Sequence, residues 1–346
     1  MGQSAGLKES RFRKDLKIIN HIIQRIGLEL SDLVLLTEIA SENFIYTPFI
    51  AGLAGAKRVF AFTKDTHYSP AENVIRDGER LIKLSGLDDI QVITDLTPEI
   101  ISNADLITNM GLLRPIDKGF IANMKETAVI PLMYVSWELR KTDVDLDACM
   151  QKGIPVMGTN ESHPLLDVFD YCGLLALKLC FDAGLEIKGN KIAIYSNDAF
   201  GDIIGKYLMK NGAEVRCFDQ PENIDVDFIS ESDAIITAQM NDPRNIFNWD
   251  PIKENLVNNP RLKVIQYIGI GDIEALSDLH IELYPPRTVE KHRMAFTFNH
   301  LGPLPVIQLI AGGLKVGEIM ARMRLSGNSP SETILKASKN LLCQKI

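Results

Sequence analysis

The sequence predicts an α/β protein built from two doubly wound units, with mostly parallel sheets and a cleft between the domains. Three observations carry this. Short apolar strands alternate with amphipathic helices along most of the chain. At 346 residues the chain is long for one core, so two domains of ordinary size are expected. Lys191–Asp219, KIAIYSNDAFGDIIGKYLMKNGAEVRCFD, reads as strand, tight turn, helix and strand. That is the layout of a phosphate-binding βαβ unit.

Taken in order, an amphipathic helix over 8–27 precedes the first strand. Strands are expected at Leu33–Leu36, Arg58–Thr63, Ile90–Thr94, Asp105–Asn109, Ala128–Val135 and Ile154–Met157. They are short and apolar, as strands buried on both faces are. Helical patterns at Phe44–Gly55, Pro70–Leu84, Pro98–Ala104, Lys118–Lys125 and Asp145–Lys152 alternate with them. A longer helix over Leu165–Ala183 ends at Gly184, a suitable C-terminal stop. The rhythm then restarts with strand Lys191–Tyr195, helix Gly201–Asn211, and strands Glu214–Phe218 and Ala234–Ala238. Helix Asp250–Val257 and strand Val264–Ile268 follow. Helices at Pro305–Met323 and Ser331–Leu342 close the chain. The expected domains are 1–163 with 304–346, and 164–303. Gly52, Gly55, Gly312 and Gly313 lie in helical patterns, where glycine costs about 1 kcal/mol, so close packing is expected there.

The formal charge of −8, with no basic tract, argues against a nucleic-acid partner. No apolar run reaches the length of a membrane span, and the N-terminus lacks the apolar core of a signal peptide. Gly6 stands where a myristoylation signal needs Ser or Thr. The five cysteines are scattered without a CxxC pair, which predicts reduced thiols in a cytoplasmic protein. No histidine spacing suggests a metal site. His21, His67, His280 and His292 are expected to be structural or exposed.

On a dinucleotide fingerprint, Ser196, Asp198 and Gly201 fall at the three glycine positions. Only Gly201 matches, and a carboxylate at 198 would face a diphosphate. Asn197 and Asp198 tolerate unusual backbone angles, so the turn itself is retained. Ser196, Asn197, Asp198, Phe200 and Gly201 are the candidate cofactor-binding turn. Asp219 ends the second strand, where an acid typically binds the ribose of NAD and disfavours NADP. It could equally start the turn Asp-Gln-Pro-Glu. NAD is the expected cofactor, and S-adenosylmethionine is the alternative adenine-containing ligand.

Ligands of doubly wound sheets bind beyond the carboxyl ends of the strands. Four polar loops lie there: Thr37–Asn43, Asn109–Arg114, Ser136–Arg140 and Thr159–His163. They are expected to converge on one cleft and to bind a small-molecule substrate. Arg114 and Arg140 suit a carboxylate or phosphate. Arg114 stands out because, between Leu113 and Pro115, it has few local partners. Asn109 and Asn160 add polar contacts, and Glu38 or Glu138 could orient a base or bind an amine. His163 or His300 is the proton-transfer candidate. The bland alternatives are a solvated Arg140–Lys141 pair, and Glu161 or Ser162 as a helix cap.

Asp143–Thr159, DVDLDACMQKGIPVMGT, resembles the D-isomer-specific 2-hydroxyacid dehydrogenases, in which such a segment precedes the crossover helix. Asn160 and Asp167–Leu177 sit where that family crosses to its nucleotide domain. The resemblance spans roughly 103–302. It implies a catalytic Arg, but Ile268 stands at that position when Asp272–Leu276 is aligned on the family's VDE-x-AL segment. Phe296–Gly302 is similar to the family's TPHIAG segment, which implies His300 as the proton carrier with Glu282 as its partner. Tyr267–Asp272, YIGIGD, also resembles the NIGHFD turn of S-adenosylhomocysteine hydrolases, with Ile270 in place of the His. The chain thus resembles a divergent member of this superfamily. The first expectation is an NAD-dependent oxidoreductase of a small hydroxy, keto or amino acid. Members of the family are often dimers, so the resemblance also implies a homodimer. The rivals are a non-redox, dehydrogenase-like binding protein that lost hydride chemistry, and an S-adenosylmethionine-dependent transferase.

Overall fold

A computed structural model describes residues 2–241, 246–248, 252–254, 259, 261–271, 273, 276 and 281–346, residues 2–8 by their helical backbone alone. Most of the expected helix over 250–257, most of Asp272–Leu276, and His280 lie outside the described residues. The chain divides into unit 1, Met1–Val168 with Gly302–Ile346, and unit 2, Phe169–Leu301.

Unit 1 begins with helix α1, Gly2–Ile26. Strand β1, Val34–Glu38, leads through helix α2, Thr47–Leu53, to β2, Arg58–Phe62. Helix α3, Ala71–Ser85, is closed by Gly86 in the left-handed region and feeds β3, Ile90–Ile93. Helix α4, Pro98–Asn103, precedes β4, Leu106–Ile107, and α5, Lys118–Asn123, precedes β5, Ile130–Pro131. Helix α6, Leu146–Lys152, leads to β6, Val156–Thr159. Side chains cap several of these helices at their first turns: Thr97 for α4, Asp117 for α5 and Asp145 for α6.

Strands β3-β2-β1-β4 pair in parallel, and so do β5 and β6. A parallel bridge, Leu106 to Val129, joins the two sets into the order 3-2-1-4-5-6. That order reverses between β1 and β4, which is the topological switch point. On the far edge, β12, Cys343–Gln344, pairs antiparallel with β6. The helix expected over 331–342 therefore stops early, as α11, Pro330–Ala337, so that the last residues can join the sheet.

Between these elements runs α10, Pro303–Leu325. Added β-carbons at Gly312 and Gly313 would lie 2.4 Å from the Leu166 side chain and 2.5 Å from that of Met133, so the expected close packing is present at both. By length and composition α10 could cross a membrane, contrary to the sequence expectation, but 78% of its apolar window is buried.

Unit 2 opens with α7, Tyr171–Asp182. The sequence pattern starts this helix at Leu165, but Pro164 and the left-handed Asp167 (φ 54°) hold 165–170 in turns. Strand β7, Lys191–Tyr195, helix α8, Ala199–Lys210, and β8, Glu214–Phe218, form the βαβ unit read from the sequence. Helix α9, Val226–Ser230, precedes β9, Ala234–Thr237, and then come β10, Lys263–Gln266, and β11, Glu282–Tyr284. All pairings are parallel, in the order β8-β7-β9-β10-β11. Its switch point lies between β7 and β9.

Candidate functional site

In unit 1 the loops after β1 and β4 meet at the switch point. Thr37 and Thr108 join β1 to the loop after β4 by a 2.8 Å hydroxyl bond. Glu38, at the last residue of β1, is buried and accepts the Leu112 backbone N–H at 2.7 Å. Burial pushes its pKa up, against the opposing pull of that hydrogen bond and of the Arg114 and Lys64 charges.

Arg114 has a partner that its local sequence does not suggest. Its Nη1 donates to Asp143 Oδ2 at 3.2 Å, and its guanidinium lies over the Tyr134 ring. Arg140 binds the same carboxylate through Nε at 3.1 Å and Nη2 at 2.9 Å, so it is not paired with Lys141 on the surface. The Tyr134 hydroxyl donates to Asp143 Oδ2 at 2.7 Å. Burial alone would raise the Asp143 pKa. Hydrogen bonds from Arg140 and Tyr134, with the two arginine charges, bring it below the ordinary value instead. Two guanidiniums thus share one carboxylate, and the cluster keeps a net positive charge. Sequence reasoning missed Asp143 and Tyr134. The i,i+3 spacing of Arg140 and Asp143 is the one signal that could have found the first of them.

Asn109 is buried after β4. Its Oδ1 accepts the Met133 N–H at 2.9 Å, while its Nδ2 lacks a partner among the described residues. Glu138 lies in the short 3-10 turn Ser136–Glu138 and is half-buried. Glu161 is no cap for α7: it is buried, accepts the Val135 N–H at 3.2 Å, and is pushed up to about 7 by burial. Asn160 serves the C-terminus, since its Nδ2 donates to Leu341 O at 2.8 Å and its Oδ1 accepts the Ser162 N–H. His163 is half-buried. Its Nδ1 accepts the Leu165 N–H at 3.2 Å, which in the neutral ring leaves the proton on Nε2.

In unit 2 the turn after β7 also lies at the switch point. Gly201 plays the packing part of a fingerprint glycine, because a β-carbon there would come within 2.8 Å of Cys217 Sγ and 2.9 Å of Ser196 Cβ. Ser196 Oγ donates to Ala238 O at 2.8 Å, across the crevice, and accepts the Gly201 N–H at 3.1 Å. Asp198 caps α8: its Oδ1 accepts the Phe200 N–H at 3.1 Å. Its Oδ2 accepts the Met240 N–H at 2.7 Å from the loop after β9. Asn197 is exposed. Phe200 points inward, its ring 5.5 Å from those of both Phe169 and Tyr267, so it packs the core and does not line a ligand site. Asp219 is exposed at the end of β8, with Oδ1 accepting from Asn223 at 3.0 Å.

These residues fit a dinucleotide in part. The packing glycine and the acid after β8 are in place. The Phe200 and Gly201 N–H groups of the turn, however, are bonded to Asp198 and Ser196 and so are not open to a pyrophosphate in this arrangement.

His300 and Glu282 are not brought together. His300 Nε2 pairs with Asp182 Oδ2 at 2.9 Å, and its ring stacks on Phe296. Glu282 is bound by Lys263 at 2.8 Å. Asp182 ends α7 beside Ala183, whose carbonyl takes Lys263 Nζ from the first residue of β10. Hydrogen bonds from His300 and Lys178 outweigh burial and hold the Asp182 pKa down. His292, expected to be structural, bonds through Nδ1 to Met240 O at 2.6 Å.

No known family profile matches the sequence, and no curated protein matches it. Solved structures do. A dipicolinate synthase chain from Bacillus subtilis has a TM-score of 0.54 at 11% identity, covering 87% of this chain and 99% of its own. The corresponding dipicolinate synthase chain from Bacillus halodurans has a TM-score of 0.53 at 9% identity, covering 86% of this chain and 99% of its own. A putative D-3-phosphoglycerate dehydrogenase from Ralstonia solanacearum has a TM-score of 0.52 at 11% identity, covering 86% and 96%. The chain thus shares its α/β fold with these dipicolinate synthase and dehydrogenase structures.

Proposed function

We propose that this chain is an NAD-dependent oxidoreductase acting on a small hydroxy, keto or amino acid. The observation that carries the reading is Asp219, exposed at the carboxyl end of β8 behind a glycine-packed βαβ turn. A carboxylate there accepts the ribose hydroxyls of NAD and repels the 2′-phosphate of NADP. In this reading Arg114 and Arg140 hold the acid group of the substrate. Asp143 fixes both guanidiniums while neutralising one charge. Glu38, whose pKa burial raises, lies near Arg114. His163 presents Nε2–H to a substrate oxygen, and the Asn109 Nδ2 takes a ligand oxygen or an ordered water. His300, held by Asp182, has a positioning role in unit 2. The five cysteines are free thiols, in keeping with the cytoplasm.

Nicotinamide fluorescence during NADH titration tests this reading, and no change at saturating cofactor would end it. Asp219→Ala is expected to weaken NAD binding by roughly tenfold to a hundredfold, since hydrogen bonds to a charged group contribute about 1.5–3 kcal/mol. NADP binding should not weaken. Equal loss for both cofactors would remove Asp219 from the ribose site.

The reading includes a homodimer. Leu174 and Phe181, seven residues apart on α7, are 41% and 62% exposed. Such a stripe suits the same helix of a second copy. Phe181→Asp is expected to turn a dimer into a monomer by light scattering, and a monomeric wild type would refute the dimer. The rival, a dehydrogenase-like binding protein without hydride chemistry, is favoured by one observation, the bonding of Asp198.

A further inference from the structure

The crevice between β7 and β9 is the place where a doubly wound sheet takes its ligand. Here it is laced shut by two side chains. Ser196 Oγ reaches Ala238 O from the β7 side, and the Asp198 carboxylate reaches the Met240 N–H. The same carboxylate takes the Phe200 N–H at the start of α8, and Ser196 Oγ takes the Gly201 N–H. The donor on the far side is itself fixed, because His292 Nδ1 holds the Met240 carbonyl at 2.6 Å. Gly201 packs as a fingerprint glycine does, so the turn has kept its shape while its donors are occupied.

We propose that Asp198 is an intramolecular stand-in for a pyrophosphate, an internal anion that must leave the Phe200 and Met240 N–H groups before a dinucleotide occupies the crevice. Both the position and the charge support this. The carboxylate lies at a helix N-terminus, where backbone N–H groups and the helix dipole favour an anion. It also bridges to the neighbouring strand loop, as a bound diphosphate would. A glycine at 198 would leave both N–H groups open. The inference rests on the dinucleotide reading above and adds that one residue of this chain sets the affinity.

Calorimetry with NADH and with ADP-ribose on the full-length protein tests it, comparing wild type with Asp198→Gly and Asp198→Asn. Asp198→Ser, which keeps a capping oxygen without the charge, guards against a glycine variant that fails to fold. Wild type is expected to bind weakly, and each folded variant to bind both ligands about tenfold tighter or more, with a charge-assisted competitor removed. The variants should also melt lower without ligand and show a larger upward shift in Tm with NADH. Wild type that binds NADH as tightly as the variants overturns the stand-in and leaves the dinucleotide reading intact. Absence of binding by wild type and by folded variants alike overturns both.

Discussion

Asp143→Ala is expected to destabilise unit 1 by about 3 kcal/mol, the lower end for breaking a buried ion pair. The residue is 4% exposed, and its carboxylate is shared by Arg114, Arg140 and the Tyr134 hydroxyl. Removing it strands two guanidiniums, each about a quarter exposed, which keeps the loss from being larger. Urea unfolding at neutral pH measures the loss, and a change below about 1 kcal/mol would mean that the cluster behaves as an ordinary surface pair. The pH dependence has a fixed sign. Because the folded-state pKa of Asp143 is lowered, its contribution is complete above the unfolded value and is lost as pH falls through the folded one. Wild type and variant should therefore converge in acid. Asp143→Ala should also loosen both arginines, so any acid ligand they hold should bind more weakly.

Gly269→Ala is expected to cost unit 2 about 3 kcal/mol, the upper range for forcing extra volume into packed structure. A β-carbon there would lie 2.3 Å from Glu290 O and 2.4 Å from Val289 O, and backbone cannot step aside as a flexible side chain can. The same backbone is anchored by the Gly269 N–H on Arg293 O at 2.9 Å. The neighbouring His292 holds Met240, so the strain should reach the β7–β9 crevice. Thermal melting followed by circular dichroism gives the cost, and an unchanged Tm would show that the segment after Val289 shifts freely.

Fold and site differ in how much of them the sequence revealed. The βαβ unit was legible almost to the residue, since Lys191–Tyr195 and Glu214–Phe218 are strands by period, apolar content and the turns around them. The start of α7 was not, because apolar spacing continues through Leu165 and Leu166 while Asp167 turns left-handed. Strands were expected around β4 and β5, but the order of unit 1 depends on the single bridge from Leu106 to Val129, and no sequence pattern gives which strands pair. At the site, arginines near strand ends were visible as charge, but their common carboxylate was not, because Arg114 and Asp143 are 29 residues apart. The partner of Asp198 was invisible for another reason: Met240 acts through its backbone N–H, which every residue but proline has.

The return segment, 302–346, bears on the order in which the protein is made. Helix α10 fills the centre of unit 1, with Ile307, Ala311, Leu314 and Val316 fully buried, and β12 closes the edge at β6. Unit 2 is continuous in the chain and leaves the ribosome whole, while Met1–Val168 of unit 1 still waits for its central helix. Strands β1 to β6 are synthesised early yet must stay unfinished until α10 and β12 have been translated. Folding of unit 1 is therefore governed by residues made after unit 2, and the unit that carries the arginine cluster is completed second.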